Sequence, residues 1–180
     1  EIGAGKGALS DEIIKKNTKS LFLIEKDTNL ANQLRIKYKT FKQVKVFNAD
    51  ILKYNLEKTN LKNITIFGNL PYNISSQILI KILKSPYLNN FENLIFMFQK
   101  ELGEKILGKY KTINYGRLSI ISNYKLNLMD KFLISKNCFY PKPKVTSMVI
   151  HFKPKKKTSN KIRDLNNLEK ITKILFSKKR

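Results

Sequence analysis

Four consecutive residues, Asn69-Leu70-Pro71-Tyr72, carry the groups needed to hold a flat base with an exocyclic amine. The Asn69 side-chain carbonyl and a neighbouring backbone carbonyl can accept both amine hydrogens, which draws the nitrogen lone pair out of the ring and aims it at an electrophile. Pro71 stiffens the turn, and Tyr72 offers a ring for stacking, worth about 1–3 kcal/mol per base. No strong base is required. An alkylated amine is cationic and acidic, so its proton leaves to water, and the protein contributes orientation and electrostatics. An ordinary strand-ending turn is the plainer reading of the same residues.

A second constellation opens the chain: Glu1-Ile2-Gly3-Ala4-Gly5-Lys6-Gly7, followed by a helical stretch from about Ala8. Gly3, Gly5 and Gly7 let backbone N–H groups approach a ligand where a side chain would block it. Glu25 follows the run Leu21 to Ile24, at the place where a carboxylate takes ribose hydroxyls in dinucleotide-type folds. The G-x-G-x-G spacing differs from the G-x-G-x-x-G of pyrophosphate sites and suits a nucleoside without phosphates. Asp50 lies after another strand, Val44 to Phe47, so the glycine turn, Glu25 and Asp50 are predicted to line the edge where open α/β sheets bind ligands. A tight turn with two surface acids is the bland alternative.

These residues need strands to end at the site and helices to space them. Leu21 to Ile24, Val44 to Phe47, Ile64 to Phe67 and Leu94 to Phe98 read as strands, and Asp11 to Lys16, Asn29 to Tyr38 and Ser76 to Leu83 as helices. The alternation predicts an α/β sheet with crossover helices. A further helix is expected over Leu102 to Tyr110. Later strands are expected over Asn123 to Phe132 and Val145 to Phe152, separated by the Pro141-Lys142-Pro143 turn. From Lys153 the composition becomes that of a polar linker. Leu165, Leu168, Ile171, Ile174 and Leu175 then recur at helical spacing up to Lys178-Lys179-Arg180, the pattern of the first helix of another module.

The 180 residues are 42% hydrophobic and 11% aromatic, enough for one domain with a real core, which excludes disorder as the main reading. Lys and Arg number 36 against 13 acidic residues, a net charge of +23 that favours an acidic partner such as nucleic acid. Lys, Asn and Ile share A/T-rich codons, so charge alone does not separate binding from nucleotide bias. The single cysteine, Cys138, excludes a disulfide framework and a Cys-based zinc site; it reads as a small core residue, and no metal is expected. The apolar runs fall far short of a membrane span, and a cytoplasmic location is expected. His151, alone in a strand, has no partners that suggest catalysis. The chain opens on Glu1 rather than Met and runs at once into the glycine turn, so further structure is expected to precede it.

Taken together, the residues resemble the rRNA adenine N6,N6-dimethyltransferases, the KsgA family. The resemblance rests on Glu1 to Ser10, Ile24-Glu25, Asn48-Ala49-Asp50, Phe67 to Ser75, Gln99-Lys100-Glu101, Tyr115 to Ser119 and Phe139 to Ser147, which occur in the family's order. Where the family often has Pro between the first two glycines, this chain has Ala4.

The resemblance implies a Rossmann-like class I methyltransferase sheet with flanking helices and S-adenosylmethionine as cofactor. It implies a methyltransferase domain over residues 1–153, a linker over 154–164 and the start of a small helical domain over 165–180, with most of the first strand preceding Glu1. By the same analogy Glu1, Gly3, Gly5, Gly7, Glu25, Lys26, Asp50, Ile51 and Asn69 surround the donor, with Glu25 on the ribose hydroxyls and Asp50 on the adenine amine. Asn69, Leu70, Pro71 and Tyr72 hold the target adenine, and Phe139 stacks on its other face. Lys142 and Lys144 suit a splayed-out base and its backbone. Arg117 could contact a phosphate or form an internal salt bridge. The implied substrate is small-subunit ribosomal RNA, the partner the small ribosomal subunit, and the protein a monomer without metal or membrane association. The alternatives are a large-subunit rRNA methyltransferase of the antibiotic-resistance type and a non-catalytic RNA-binding assembly or transcription factor. Gln99-Lys100-Glu101 and Tyr115 to Ser119 favour the small subunit; the intact glycines, Glu25, Asp50 and Asn69 disfavour the non-catalytic reading.

Overall fold

Short β-branched and aromatic runs between amphipathic stretches leave one arrangement that hides both: parallel strands joined by helical crossovers. A computed structural model of the chain describes residues 1–56, 62–140, 142–156 and 165–177 and contains that arrangement. In chain order it runs α1 (Ala8–Ile14), β1 (Leu21–Glu25), α2 (Thr28–Lys37), β2 (Val44–Asn48), β3 (Ile64–Asn69) and α3 (Ser75–Lys84). There follow β4 (Phe91–Gln99), α4 (Lys100–Ile106), α5 (Arg117–Lys125), β5 (Leu126–Ile134), β6 (Ser147–Pro154) and α6 (Leu165–Ser177).

β1 and β2 pair in parallel, as do β3 and β4, and β6 lies antiparallel between β4 and β5. Ile2 joins the two groups, bridging in parallel to Ile24 on one side and to Gly68 on the other. The order across the molecule is therefore β2, β1, Ile2, β3, β4, β6, β5. The C-terminal ends of β1 to β4 share one edge, the ligand-binding edge of open α/β sheets.

Helix α3 anchors the core. Its Ile78, Leu79, Ile82 and Leu83 are buried against Ile66, Leu94, Phe96 and Phe98 of the sheet, with Ile106, Ile121, Ile150 and Phe152 in the same cluster. Each such side chain contributes about 1.5–3 kcal/mol relative to exposure, so β3 and β4 form a rigid platform. A second cluster of Ala4, Leu21, Leu23, Leu34 and Tyr38 seats the glycine turn on β1 and α2.

Three expectations shift. The strand expected from Asn123 begins at Leu126, because residues 117–125 form α5. That helix is started by buried Ser119, whose hydroxyl donates to the Gly116 carbonyl at 2.8 Å and accepts from the Gly116 N–H at 3.0 Å. The helix expected up to Tyr110 ends at Ile106, since the chain turns back so closely that Asn114 backbone fills the space a side chain at Gly108 would need. Cys138 is exposed on a short 3-10 turn rather than packed in the core.

Helix α6 is fastened to the main body. Leu165 and Leu168 pack on the principal core, and Glu169 pairs with Lys84 of α3 and, at 3.4 Å, with Arg117 of α5. Most of the linker, residues 157–164, and the terminal Lys178-Lys179-Arg180 lie outside the described residues, as does Pro141.

Candidate active site

The glycine turn is built from left-handed backbone. Gly3, Gly5 and Gly7 have φ of 69°, 57° and 81°, a region that costs an L-residue about 1–2 kcal/mol. Gly3 donates to the Ile24 carbonyl and Gly7 to the Ala4 carbonyl, both at 2.8 Å, which closes the turn over the end of β1. Ser10, buried in α1, donates its hydroxyl proton to Glu1 Oε2 at 2.5 Å, so Glu1 ties the turn to the following helix.

A strut from α2 supports the turn from behind. The Tyr38 hydroxyl lies 2.9 Å from the Gly7 carbonyl and 2.8 Å from Asp11 Oδ1, and it fills the space a side chain at Gly7 would occupy. Lys37 Nζ donates to the Lys6 carbonyl at 3.1 Å and to Asp11 Oδ2 at 2.6 Å. Hydrogen bonds from Lys37 first, then Tyr38, hold the Asp11 carboxyl below the usual carboxylate range, and burial pushes the Tyr38 hydroxyl up. The sequence reading missed this strut: Tyr38 lies 31 residues from Gly7, and no local spacing marks the pair.

Glu25, at the end of β1, is buried. Its Oε2 accepts from the Gly5 N–H and its Oε1 from the Asp27 N–H, each at 2.9 Å. One lone pair on each oxygen thus fixes the carboxylate, and the remaining ones suit two hydroxyl donors of a ribose. The Ala49 N–H donates to the Glu25 carbonyl at 2.9 Å, bringing the end of β2 alongside. Asp50 follows. Its Oδ2 is 3.0 Å from Lys26 Nζ and its Oδ1 accepts from the Leu52 N–H at 2.9 Å; Lys26 first, then that N–H, lower its pKa, leaving an ionised acceptor beside Glu25. Ile51 is buried, with its side chain in the principal core.

Asn69 ends β3 and is exposed, and its side-chain amide has no hydrogen-bond partner among the described residues. Leu70 is buried beneath it and acts as the plug that fixes the turn. The Cβ direction of Gly3 points at the Asn69 carbonyl oxygen, 3.7 Å away, and at Pro71 Cδ, 3.9 Å away, so the glycine turn and the Asn-Leu-Pro-Tyr turn meet face to face. Tyr72 is half-buried. Its hydroxyl lies 2.6 Å from the Ser147 hydroxyl at the start of β6, and its carbonyl accepts from Ser75 at 3.1 Å.

Strand register carries the β5–β6 connection to the same edge: Ile134 pairs with Ser147, and Ser147 with Gln99. Phe139, half-buried, and exposed Lys142 and Lys144 sit on that connection. The Arg117 guanidinium is paired with Glu169 of α6 at 3.4 Å, the internal salt bridge among its two sequence readings. In Gln99-Lys100-Glu101, Glu101 pairs with Lys105 at 2.7 Å and Lys100 with Glu104 at 3.8 Å, stabilising α4. His151 is satisfied by Asn93 at 2.8 Å. Among the described residues no group of three or more His, Cys, Asp and Glu could hold a metal, and no helix is long and apolar enough to cross a membrane.

An edge of this composition can hold a nucleoside-bearing ligand between the glycine turn, Glu25 and Asp50, and present a free amide beside it. The sequence model of the ribosomal RNA adenine dimethylase family matches residues 1–180. The chain belongs to this family. A ribosomal RNA small subunit methyltransferase A from Pelagibacter ubique is 43% identical over 181 residues, covering 100% of this chain and 68% of the relative. The crystal structure of a dimethyladenosine transferase from Plasmodium falciparum superposes with a TM-score of 0.81 at 26% identity, covering 99% of this chain and 62% of that one. A second family-like fold, the 23S rRNA methyltransferase ErmE, gives 0.76 at 24% identity over 98% of this chain and 68% of its own. The chain thus spans about two thirds of the length of the relatives it matches. Its fold is the Rossmann-like fold of the class I methyltransferases in this family, and β6, set antiparallel between β4 and β5, is part of it.

Proposed function

We propose that the protein transfers methyl groups from S-adenosylmethionine to the N6 amine of adenines in small-subunit ribosomal RNA, giving N6,N6-dimethyladenosine during ribosome biogenesis. The observation that carries this reading is the meeting of Gly3 with the Asn69 backbone carbonyl and the Pro71 ring, which sets the glycine turn against the turn that carries the Asn69 amide. The residues present fit the donor. Glycine backbone leaves open space at Gly5, where an added side chain would touch nothing within 4 Å, and Glu25 offers fixed acceptors for a diol. When bound, S-adenosylmethionine supplies an electrophilic methyl carbon on a sulfonium.

The chain's own residues do the remainder. Gly3, Gly5 and Gly7 cradle the donor with Glu1 bracing the turn; Glu25 takes the ribose hydroxyls; Asp50, kept ionised by Lys26, takes the adenine amine, and the Ile51 backbone walls that ring. Asn69, with a backbone carbonyl of Leu70 or Pro71, accepts the hydrogens of the target amine. Tyr72 and Phe139 stack on the flipped base, whose removal from the helix they offset. Lys142 and Lys144 contact the RNA backbone, and the net charge of +23 draws the polyanion in. The reading includes a cytoplasmic monomer in which residues 1–153 are the methyltransferase domain and 165–180 begin a helical one.

The relatives named for the small subunit favour that substrate over the large one. The test uses the complete gene product, labelled donor and undermethylated small subunits, with mapping of the modified nucleotides. Label is expected on small-subunit adenines, and Asn69→Ala is expected to cut transfer by about 10²-fold or more, well beyond any loss in donor affinity. Label in the large subunit, or tight RNA binding without transfer, overturns the proposal.

A further inference from the structure

Ser147 closes the Phe139-to-Ser147 motif, yet nothing assigned so far gives it a task. It is completely buried, and its hydroxyl lies 2.6 Å from that of Tyr72, 75 residues away in sequence. Either hydroxyl can donate.

We propose that Ser147 is a positioning residue for base capture, holding the Tyr72 ring at the angle at which a flipped adenine can stack on it; the inference rests on the function proposed above. The backbone of Ser147 cannot drift, because it is paired to Gln99 on one side and Ile134 on the other. The preceding residue is fixed as well, its Thr146 carbonyl accepting from the Lys100 N–H at 2.9 Å. A hydroxyl mounted on so rigid a point is a reference from which the tyrosine is aimed. Were Tyr72 to swing away, a buried hydroxyl would lose its partner, which is costly. The ring is therefore biased toward one orientation before substrate arrives, and this preorganisation lowers the ordering required at binding.

The same residue links two segments that carry aromatic rings of the proposed base slot. Tyr72 belongs to the turn after β3, whereas Phe139 lies on the connection that ends at Ser147. The hydroxyl pair ties the turn after β3 to the strand end at which that connection finishes, whose place is set by the β4–β6 register. Gln99 and Lys100 acquire a reason for their place: they fix the strand end and the carbonyl next to Ser147 rather than touch the base.

The test compares Ser147→Ala, Tyr72→Phe, the double variant and Ser147→Thr in the complete gene product. Readouts are kcat and KM for undermethylated small subunits, the Kd of S-adenosylhomocysteine by calorimetry, and the NMR signals of the Tyr72 ring. Each single variant is expected to lose about tenfold in kcat, to leave the homocysteine Kd unchanged, and to lose restriction of the aromatic ring at position 72. The double variant is expected to be no worse than either single one, because both remove the same bond, and Ser147→Thr is expected to recover activity. Wild-type kcat and KM in Ser147→Ala, or multiplying effects in the double variant, overturn the inference while the proposed function stands. A drop in donor affinity equal to the drop in kcat reduces Ser147 to a general structural role and overturns it too. An inactive wild-type protein overturns the function first, and the inference with it.

Discussion

The carbonyl oxygen of Asn69 stands 3.7 Å from the point where Gly3 would carry a side chain. The donor turn and the Asn-Leu-Pro-Tyr turn therefore meet within one van der Waals contact of each other. Gly3→Ala would add a methyl group in ordinary contact with that oxygen, so sterics alone are mild. The backbone is the larger obstacle, since φ is +69° and a left-handed L-residue costs about 1–2 kcal/mol. The turn is expected to relax, weakening donor binding by about 5- to 30-fold, as measured by calorimetry with S-adenosylhomocysteine. Affinity equal to wild type would mean that the donor does not rest on this turn.

Glu25 has a different vulnerability. Both its oxygens accept backbone N–H groups, from Gly5 and Asp27. Glu25→Gln keeps the shape but replaces one acceptor with an amide donor that must face an N–H, and it removes the charge from both bonds. Charge-assisted hydrogen bonds contribute about 1.5–3 kcal/mol, so the variant is expected to melt measurably lower and to bind the donor at least about tenfold more weakly. Calorimetry and a thermal melt read both effects, and a normal melt with lost binding would assign Glu25 to the ligand alone.

What was legible in the sequence was what is local. Glu25 ends one strand of apolar and aromatic residues and Asp50 closely follows another, so knowing where a strand stops places the side chain on the edge, and the glycine turn is marked by its own spacing. The Asn69 turn announces itself through Pro71. Contacts set by topology were not legible: Tyr38 beneath Gly7 and Ser147 beneath Tyr72 depend on which elements become neighbours, and a lone tyrosine or serine carries no periodic signal. Helix α5 was hidden for a related reason. Its start is made by Ser119 folding back on Gly116, and its apolar residues follow no clean helical stripe. The partner that Arg117 has in the fold is a carboxylate 52 residues away.

Glu169 is that carboxylate, and it is only 12% exposed at its side chain while serving Lys84 and Arg117 together. Removing a nearly buried acid that holds two cations leaves both without a partner, which is more disruptive than losing an exposed pair. Glu169→Gln is expected to speed amide exchange across α6 by about tenfold or more, with a much smaller change in β4, which is held by α3 and its pairing with β3 and β6 as well. Arg117→Ala, which leaves the Lys84 pair, is expected to have a smaller effect of the same kind. Exchange mass spectrometry checks both, and unchanged protection in α6 would show that Leu165 and Leu168 suffice to dock it.

The strut beneath the glycine turn sets a pH window. Asp11 sits below its ordinary value of 3.8, so its contribution is present above that pH and is lost as pH falls through the depressed value. Tyr38 is pushed above 10.0 by burial and Lys37 above 10.5 by Asp11, so their contributions are present below those values and are lost as pH rises through the shifted ones. Between about pH 5 and pH 9 all three groups keep one protonation state, and the strut is expected to contribute a constant amount. Tyr38→Phe removes the hydroxyl from Gly7 and Asp11 without changing the ring in the core, and its expected cost is about 0.5–1.5 kcal/mol throughout that window. The ion pair of Asp11 and Lys37 is about 40% exposed on both sides, so Asp11→Asn is expected to cost no more than about 1 kcal/mol at neutral pH. That difference should vanish in acid, where the wild-type carboxyl is protonated as well. Denaturant melts of the three proteins at stepped pH check this. A Tyr38→Phe deficit that changed across neutral pH would mean that another group titrates against the turn.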